Sequence, residues 1–270
     1  MTYLFLPRIQ VQAANALATA WIINATPLFA INMFGHNLGR KIGAIPAGVA
    51  VIHHDAQLLG EREGKGFYGR MHPQQRRGAS FIDRADYSSK NQHVLSLQPT
   101  ASCHLLLSLM FAFETSIDLE AVNTFLLSAR IAGGQIIDYG KPEVLGDEAA
   151  LRGRLRTGFW VIERDDLMQA ESDPLAAVVK AIGEKAVPAN EGDLPNSWIV
   201  PTVLGYAALT PFEARAGARG GYLHAYGESL VGLVQYVSVR DYGDRPLPLW
   251  HYQWIGEDVF VIKQKKGAER

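Results

Sequence analysis

The first half of the chain alternates between apolar runs that predict strands and spacings that predict helices. Residues 3–12 (YLFLPRIQVQ) begin as a double-sided apolar run, after which Ile9 and Val11 face one way. The residues that face the other way are Arg8, Gln10 and Gln12. This pattern predicts a strand that is first buried on both faces and then half exposed. Residues 13–25 are small and weakly patterned, which predicts a connector, and residues 48–53 (GVAVIH) predict the next strand.

Two helices are predicted from apolar positions at helical spacing. Pro27 opens the first, at a position where its missing N–H costs nothing, and Gly43 is its expected end. The second follows residues 103–113 (CHLLLSLMFAF), a run whose periodicity fits a buried strand or a buried helix. We favour a strand there because a helical signal follows at once, with Ser116 as the expected N-cap. Gly133-Gly134 is the expected end of the second helix.

The fold class that follows is α+β. Residues 134–138 (GQIID) predict a short strand, so the order is strand, helix, strand, long excursion, strand, helix, strand. That is the ferredoxin-like (RRM-like) β-α-β-β-α-β unit, whose second and third strands form a hairpin. We expect residues 1–140 to form this core, with a hairpin excursion at 60–93, and residues 141–270 to form a mostly β half packed on it. Such a sheet has one open face, a common platform for single-stranded RNA.

The second half has a weaker pattern. Residues 141–157 predict a charged connector that ends in RGRLRTG, and residues 159–164 (FWVIER) predict a strand. Residues 165–186 predict one or two short helices, and WIVPTVLGY predicts another strand. The segment WHYQWIGEDVFVI predicts a hairpin about Gly256.

The excursion from Gly60 to His93 is the most unusual stretch of the sequence. It interleaves cations and aromatics without an apolar period, so it buries no face of its own. Long loops inside a compact domain are usually functional or disordered. Cations beside aromatics suit a ligand with a phosphate backbone and stackable bases, whereas the plainer interpretation is a solvated hairpin. Its cations and aromatics include Lys65, Arg70, Arg76, Arg77, Arg84, Phe67, Tyr68 and Phe81.

Composition narrows the class of protein. The formal net charge is −1, which argues against a general nucleic-acid coat but leaves room for a local basic surface. The single cysteine, Cys103, rules out an internal disulfide and fits a reducing compartment. No run of eighteen apolar residues predicts a membrane span, and the N-terminus has no secretory signal pattern, so we expect a cytoplasmic protein.

Catalytic and metal-binding signals are weak. His53 and His54 would point to opposite faces of a strand, so they would not easily chelate one ion, and no zinc-site spacing is present. The phosphate-binding, dinucleotide-binding and nucleophile-elbow motifs are missing. We expect no cofactor and no metal. A histidine such as His36 or His72 could still act as a general base in metal-free RNA cleavage.

Two basic segments offer phosphate contacts. In RIAGGQ, a double glycine beside Arg130 would let phosphates reach main-chain N–H groups, or would be a simple helix C-cap. Arg152, Arg154 and Arg156 alternate, so on an extended chain they would line one side as a rail for phosphates. The alternative for this second segment is a solvated turn.

Several ordered blocks resemble the Csy-two (Cas-five) family of type I-F CRISPR surveillance complexes. They are LFLPRIQVQAANALATAW, LFAINMFGHNLGRKIG, SARIAGGQII, LRGRLRTGFWVIERDDLM and SWIVPTVLGYAALTPF. The RxAGG loop and the PxxxGYxALxP segment are together the most specific. The resemblance implies a RAMP-type core, a thumb-like hairpin at the excursion, and a non-catalytic protein that grips the 5′ handle of the CRISPR RNA. The family's positions correspond here to Arg8, Asn15, Phe34, His36, Arg40, Arg130, Gly133, Gly134, Gly158, Pro201, Gly205 and Tyr206.

We therefore expect an RNA-binding subunit that works beside backbone and large subunits and reaches target DNA through the assembled complex. Two alternatives stay open: a repeating backbone subunit of the same superfamily, and a metal-free endoribonuclease that processes CRISPR RNA. The expected RNA-binding residues are Arg8, Asn15, His36, Arg40, Lys41, Lys65, Phe67, Tyr68, Arg70, Arg76, Arg77, Arg130, Gly133, Gly134, Arg152, Arg154 and Arg156.

Overall fold

The computed structural model describes residues 1–19, 21–64, 70–73, 101–155, 157–184, 194, 197–216 and 218–264. The strands are β1 Thr2–Asn15, β2 Leu17–Thr19, β3 Ile22–Ile23, β4 Gly48–Leu58, β5 Gly60–Glu63, β6 Arg70–Pro73, β7 Ser102–Phe113, β8 Arg130–Ile131, β9 Gly134–Asp138, β10 Glu143–Leu145, β11 Phe159–Glu163, β12 Ile199–Ala208, β13 Gly227–Ser238, β14 Trp250–Ile255 and β15 Val259–Gln264. The helices are α1 Leu28–Ile42, α2 Leu119–Leu126, α3 Glu148–Arg154, α4 Asp165–Gln169, α5 Pro174–Gly183 and α6 Val239–Tyr242.

One large antiparallel sheet organises the described chain. Its strand order is β11-β13-β12-β15-β14-β4-β7-β1-β9-β8, with β10 paired to β1. Strand β11 also pairs with β4, through Phe159 opposite His53 and Trp160 opposite Ile52. Six strands, β4, β11, β13, β12, β15 and β14, therefore close into a ring, and β7, β1, β9 and β8 extend the sheet from β4. The expected mixed α and β class is confirmed.

The predicted elements of the first half are present, with one change at the connector. Strand β1 has the expected alternation, since Ile9 and Val11 are buried and Gln10 is exposed. It runs on to Asn15, and the predicted connector contains β2 and β3, which pair with each other. Helix α1 has the predicted extent, and Gly43 ends it with a left-handed φ of 76°.

Two predictions about the second helix were wrong. The N-cap of α2 is Asp118 rather than Ser116, because the Asp118 carboxylate accepts a hydrogen bond from the Glu120 amide at 2.9 Å. The helix ends at Leu126, well before the glycine pair. Gly133 instead lies in the tight turn between β8 and β9, where two residues must adopt positive φ.

The sheet is packed on both faces. On one face α1 and α2 cover the buried side chains of β1, β4 and β7, for instance Phe34 against Phe111 with ring centroids 6.1 Å apart. On the other face Met110, Trp160 and Leu151 form a second core that includes α3. Burial of each such large side chain contributes about 1.5–3 kcal/mol, so these two cores fix how the strands are placed.

The prediction of a charged connector at residues 141–157 was only partly correct, because this segment contains β10 and α3. Arg152 and Arg154 are in the last turn of α3, where basic side chains suit the helix dipole.

The hairpin about Gly256, with a φ of 64°, and the two short helices α4 and α5 are as predicted. Strands β5 and β6 pair as an exposed hairpin at the start of the excursion. Across the described ranges, the helices are too short or too polar to cross a membrane.

Candidate nucleic-acid interface

A groove of about 370 Å³ lies where the end of β1, the β8–β9 turn, the start of α1 and β12 meet. These elements are far apart in the sequence, and the sheet brings them together because β1 pairs with β9 while β12 packs beside α1. The residues lining the groove that bear on its chemistry are Asn15, Asn24, Phe29, Ala132, Gly133 and Tyr206.

The β8–β9 turn forms one wall. Ala132 and Gly133 have φ values of 49° and 75°, as both central residues of a type I′ turn require. A Cβ on Gly134 would lie 2.7 Å from the backbone N and Cα of Ala14, so only glycine lets the turn approach β1 this closely. The Asn15 amide then donates to the Ala132 carbonyl at 2.8 Å.

The N-terminus of α1 forms the opposite wall. Among the described residues no side chain caps this helix end, and the first turn of α1 has no acidic residue. Pro27, Leu28, Phe29 and Ala30 all line the groove. Because the first amides of a helix have no intrahelical acceptor and carry the positive end of the helix dipole, this wall favours a negatively charged group.

A polar network makes this wall rigid. The Asn24 side chain donates to the Pro201 carbonyl and accepts from the Thr26 amide. The Thr26 hydroxyl is hydrogen-bonded to the Tyr236 hydroxyl, and Thr202 donates to the Thr26 carbonyl at 3.0 Å. Since these bonds join the start of α1 to β12 and β13, the groove is preformed.

Tyr206 closes the groove on the side of β12. Its ring is 41% exposed and meets Phe29 edge-to-face, with centroids 4.9 Å apart. An exposed ring fixed by such a contact can stack on a planar ligand at little cost in side-chain entropy. Asn15 is also held, because its side chain bonds both the amide and the carbonyl of Leu17. Arg130 is exposed on β8 beside the turn.

Arg8 is exposed on β1 and does not line the groove. It has a φ of 50° at a bulge in β1, and its amide donates to the Ser108 hydroxyl at 2.9 Å. The same hydroxyl is 2.7 Å from His54 Nε2. Burial, reinforced by the nearby Arg8 cation, lowers the pKa of His54. A second bulge in β1 lies at Ala13, whose amide donates to His104 Nδ1 at 3.2 Å.

The two neighbouring histidines have separate partners. His53 meets the Tyr236 ring edge-to-face at 5.1 Å, on the other side of β4 from Ser108. Burial, with a smaller effect of His54, lowers the pKa of His53 from 6.5 to about 4, so it is neutral at pH 7. The described part of the chain contains no group of three side chains suited to hold a metal ion.

Helix α1 carries three more of the expected RNA-binding residues away from the groove. His36 Nδ1 is 2.8 Å from the Tyr252 hydroxyl, whose pKa is raised by burial. Arg40 and Lys41 are in the last turn of α1, about 18 Å from its start at 1.5 Å per residue. They therefore do not share a single nucleotide with the groove.

The expectation of an extended arginine rail was wrong, because Arg152 and Arg154 are helical. The Arg152 guanidinium donates to the carbonyls of Gly243 and Arg245, and Arg154 pairs with Glu143 at 2.9 Å. Both side chains therefore have partners within the protein.

The excursion contributes one expected residue to the described structure. Arg70 is exposed on β6. The expected contacts at Lys65, Phe67, Tyr68, Arg76, Arg77 and Arg156 lie outside the described residues.

Other positions named by the resemblance serve packing. Phe34 is buried in the core beside Phe125, with centroids 5.3 Å apart. Gly158 lies against Ile52 and His54, and Gly205 lies against the backbone of Phe260.

Sequence reasoning missed the contribution of Asn24, Thr26 and Phe29 to the groove. The local signal in the sequence that bears on these residues is the start of α1, which follows Pro27 and has no acidic or hydroxyl residue at its N-cap position.

Comparison with known protein families assigns the chain to one of them. A family model described as CRISPR-associated protein (Cas_Csy2) matches residues 4–260, nearly the whole chain. Comparison with curated proteins gives no match. The matched range includes every element that forms the groove. The chain therefore belongs to the CRISPR-associated Csy2 family of the type I-F system.

Proposed function

We propose that this protein is a non-catalytic subunit of a type I-F CRISPR surveillance complex and that its groove holds the 5′ handle of the CRISPR RNA. One observation carries the proposal. Asn15, Gly133 and Tyr206 come from three separate blocks of the sequence, and all three line the same groove. A shared surface is what a common ligand requires.

The chemistry of the groove suits a single RNA strand. The positive end of the α1 helix dipole and the cation of Arg130 favour phosphate oxygens. Tyr206 supplies a stacking surface, and Asn15 lies within the groove to meet a sugar or a base edge. Arg8, which is exposed on β1 outside the groove, offers a further phosphate contact. Phosphate contacts of this kind fix register without reading sequence, so affinity falls as salt rises.

We further propose that residues 1–140 form a ferredoxin-like RAMP core, with residues 141–270 as a β-rich half packed on it. The strand order β4-β7-β1-β9, with α1 and α2 on one face, supports this assignment. In such an assembly the guide RNA supplies sequence specificity, and this subunit reaches target DNA through the assembled complex with backbone and large subunits.

The proposal of a non-catalytic role is supported by the candidate histidines. His36 is hydrogen-bonded to Tyr252 in the middle of α1, and His72 is 3.2 Å from Glu63 on an exposed hairpin. The two lie on different elements. Loss of RNA cleavage in His36→Ala or His72→Ala with binding intact would contradict this role.

The test is co-expression of the tagged chain with its partner subunits and a type I-F CRISPR array. Native mass measurement counts the copies per RNA, and ribonuclease protection maps the RNA that is covered. We expect one copy per RNA with the 5′ handle protected. Several copies with evenly spaced protection would identify a repeating backbone subunit instead, and no bound RNA would contradict the proposal.

A further inference from the structure

A second cavity, of about 380 Å³, adjoins the groove at the other side of Tyr206. It lies between the end of β12, the β14–β15 hairpin and the described residues 209–216 and 218–226, which we call the arm. The residues that give it its character are Tyr206, Phe212, Tyr226, Trp254, Phe260 and Asp258.

The arm is held firmly enough to form a wall. The Leu209 amide donates to the Tyr226 carbonyl at 2.7 Å, and Glu213 and His224 form a β-bridge across the arm. The Arg215 guanidinium lies 4.8 Å over the Tyr226 ring and pairs with Glu213 at 2.6 Å. These contacts fix the ring of Tyr226 at the cavity.

The rings around this cavity are far more exposed than aromatic side chains usually are. Trp254 is 55% exposed, Tyr226 66% and Phe212 43%. Trp254 is nonetheless fixed, with its ring centroid 5.0 Å from Phe260 and 5.9 Å from Phe212. Fixed and exposed aromatic rings are the usual platform for an unpaired base.

The charges at the cavity favour a base over a phosphate or an aliphatic side chain. Asp258 lines the cavity and would repel a phosphate, whereas it could accept from an amino group of a base. A purely aliphatic occupant would offer no such donor to Asp258.

Tyr206 connects the two cavities, so a strand that leaves the groove reaches the aromatic cavity next. We propose that this cavity holds one unpaired base of the RNA whose backbone lies in the groove. This inference rests on the proposed function. Beyond that function, the base of one nucleotide is turned out of the RNA strand and stacks among Trp254, Tyr206 and Tyr226.

The experiment is an abasic scan of the guide RNA with wild-type protein and with Trp254→Ala, within the assembled complex. At one nucleotide, loss of the base should weaken binding roughly 5- to 150-fold, the usual range for a base stacked on an aromatic ring. Trp254→Ala should cause a similar loss with intact RNA, and no further loss with RNA that lacks that base. Trp254→Phe should retain most of the affinity.

Trp198→Ala is the matched control, since Trp198 is 73% exposed and lines neither cavity. It should bind as the wild type does. Binding of RNA by the complex with equal affinity for wild type and Trp254→Ala would overturn the base pocket while leaving the groove intact. Loss of a protein subunit from the Trp254→Ala complex with unchanged RNA affinity would also overturn it, in favour of a protein contact. Absence of RNA binding by the wild type would overturn the proposed function itself.

Discussion

A single added charge in the groove should weaken RNA binding, and Ala132 is the position at which to place it. Ala132 lines the groove and has a φ of 49°, which asparagine and aspartate adopt more readily than alanine. With Gly133 it would form Asn-Gly or Asp-Gly, the preferred pairs for a type I′ turn. Ala132→Asn and Ala132→Asp therefore differ in charge but hardly in size or backbone preference.

The magnitude follows from Coulomb's law. For a carboxylate about 6–8 Å from one phosphate, with an effective dielectric constant of about 20–40, the repulsion is about 1–3 kcal/mol. That corresponds to a loss of affinity of roughly 5- to 150-fold for Ala132→Asp relative to Ala132→Asn. The ratio should shrink as salt is added, because salt screens exposed charges.

The assay is fluorescence anisotropy of a labelled 5′-handle RNA titrated with the co-purified complex at two salt concentrations. Thermal unfolding of both variants controls for the turn, since any steric cost at Ala132 is shared. Equal RNA affinity of the two variants, with both folded, would refute the placement of phosphate in the groove.

Three further predictions test the fold. Gly134→Ala should lower the free energy of unfolding by about 1–3 kcal/mol, because the added Cβ would collide with the backbone of β1. Gly146→Ala is the control, since a Cβ there meets open space. Chemical denaturation should show little change in the free energy of unfolding for this control. Asp118→Ala should cost about 1 kcal/mol by loss of the N-cap of α2 while Ser116→Ala costs almost nothing, and the reverse order would contradict the assignment. Folding lowers the pKa of His53 to about 4, so the unfolded chain protonates His53 more readily than the folded chain does. The stability that the neutral, buried His53 contributes is therefore complete above pH 6.5 and is lost as the pH falls towards 4. Denaturation of His53→Gln across that range should show a flatter pH dependence, and identical slopes would argue against a buried neutral His53.

The elements with a strong period were predictable from the sequence. Helix α1 has apolar residues at helical spacing and a glycine at its end, and both signals are local. Strands β2 and β3 have three and two residues, too few for any period to show. The N-cap of α2 was misplaced because Ser116 and Asp118 are both good caps, and the exit of the chain from β7 selects between them.

The groove could be predicted only in part. Asn15, Gly133 and Tyr206 were expected as family positions, but no local pattern shows that they meet. Asn24 reaches Pro201 across 177 residues of sequence, a contact that depends on how β12 packs beside α1. The arginines at 152 and 154 were misinterpreted because alternation in the sequence was taken for an extended chain, whereas Asp147 caps a short helix there.

The central claim is that the groove faces the 5′ handle. The most direct test replaces Tyr206 with a photo-crosslinking phenylalanine derivative in the co-expressed complex and sequences the crosslinked RNA. The same replacement of Trp198, which is exposed outside the groove, serves as the control. We predict crosslinks from position 206 confined to nucleotides of the 5′ handle. Crosslinks spread evenly along the spacer, or to protein alone, would contradict the account.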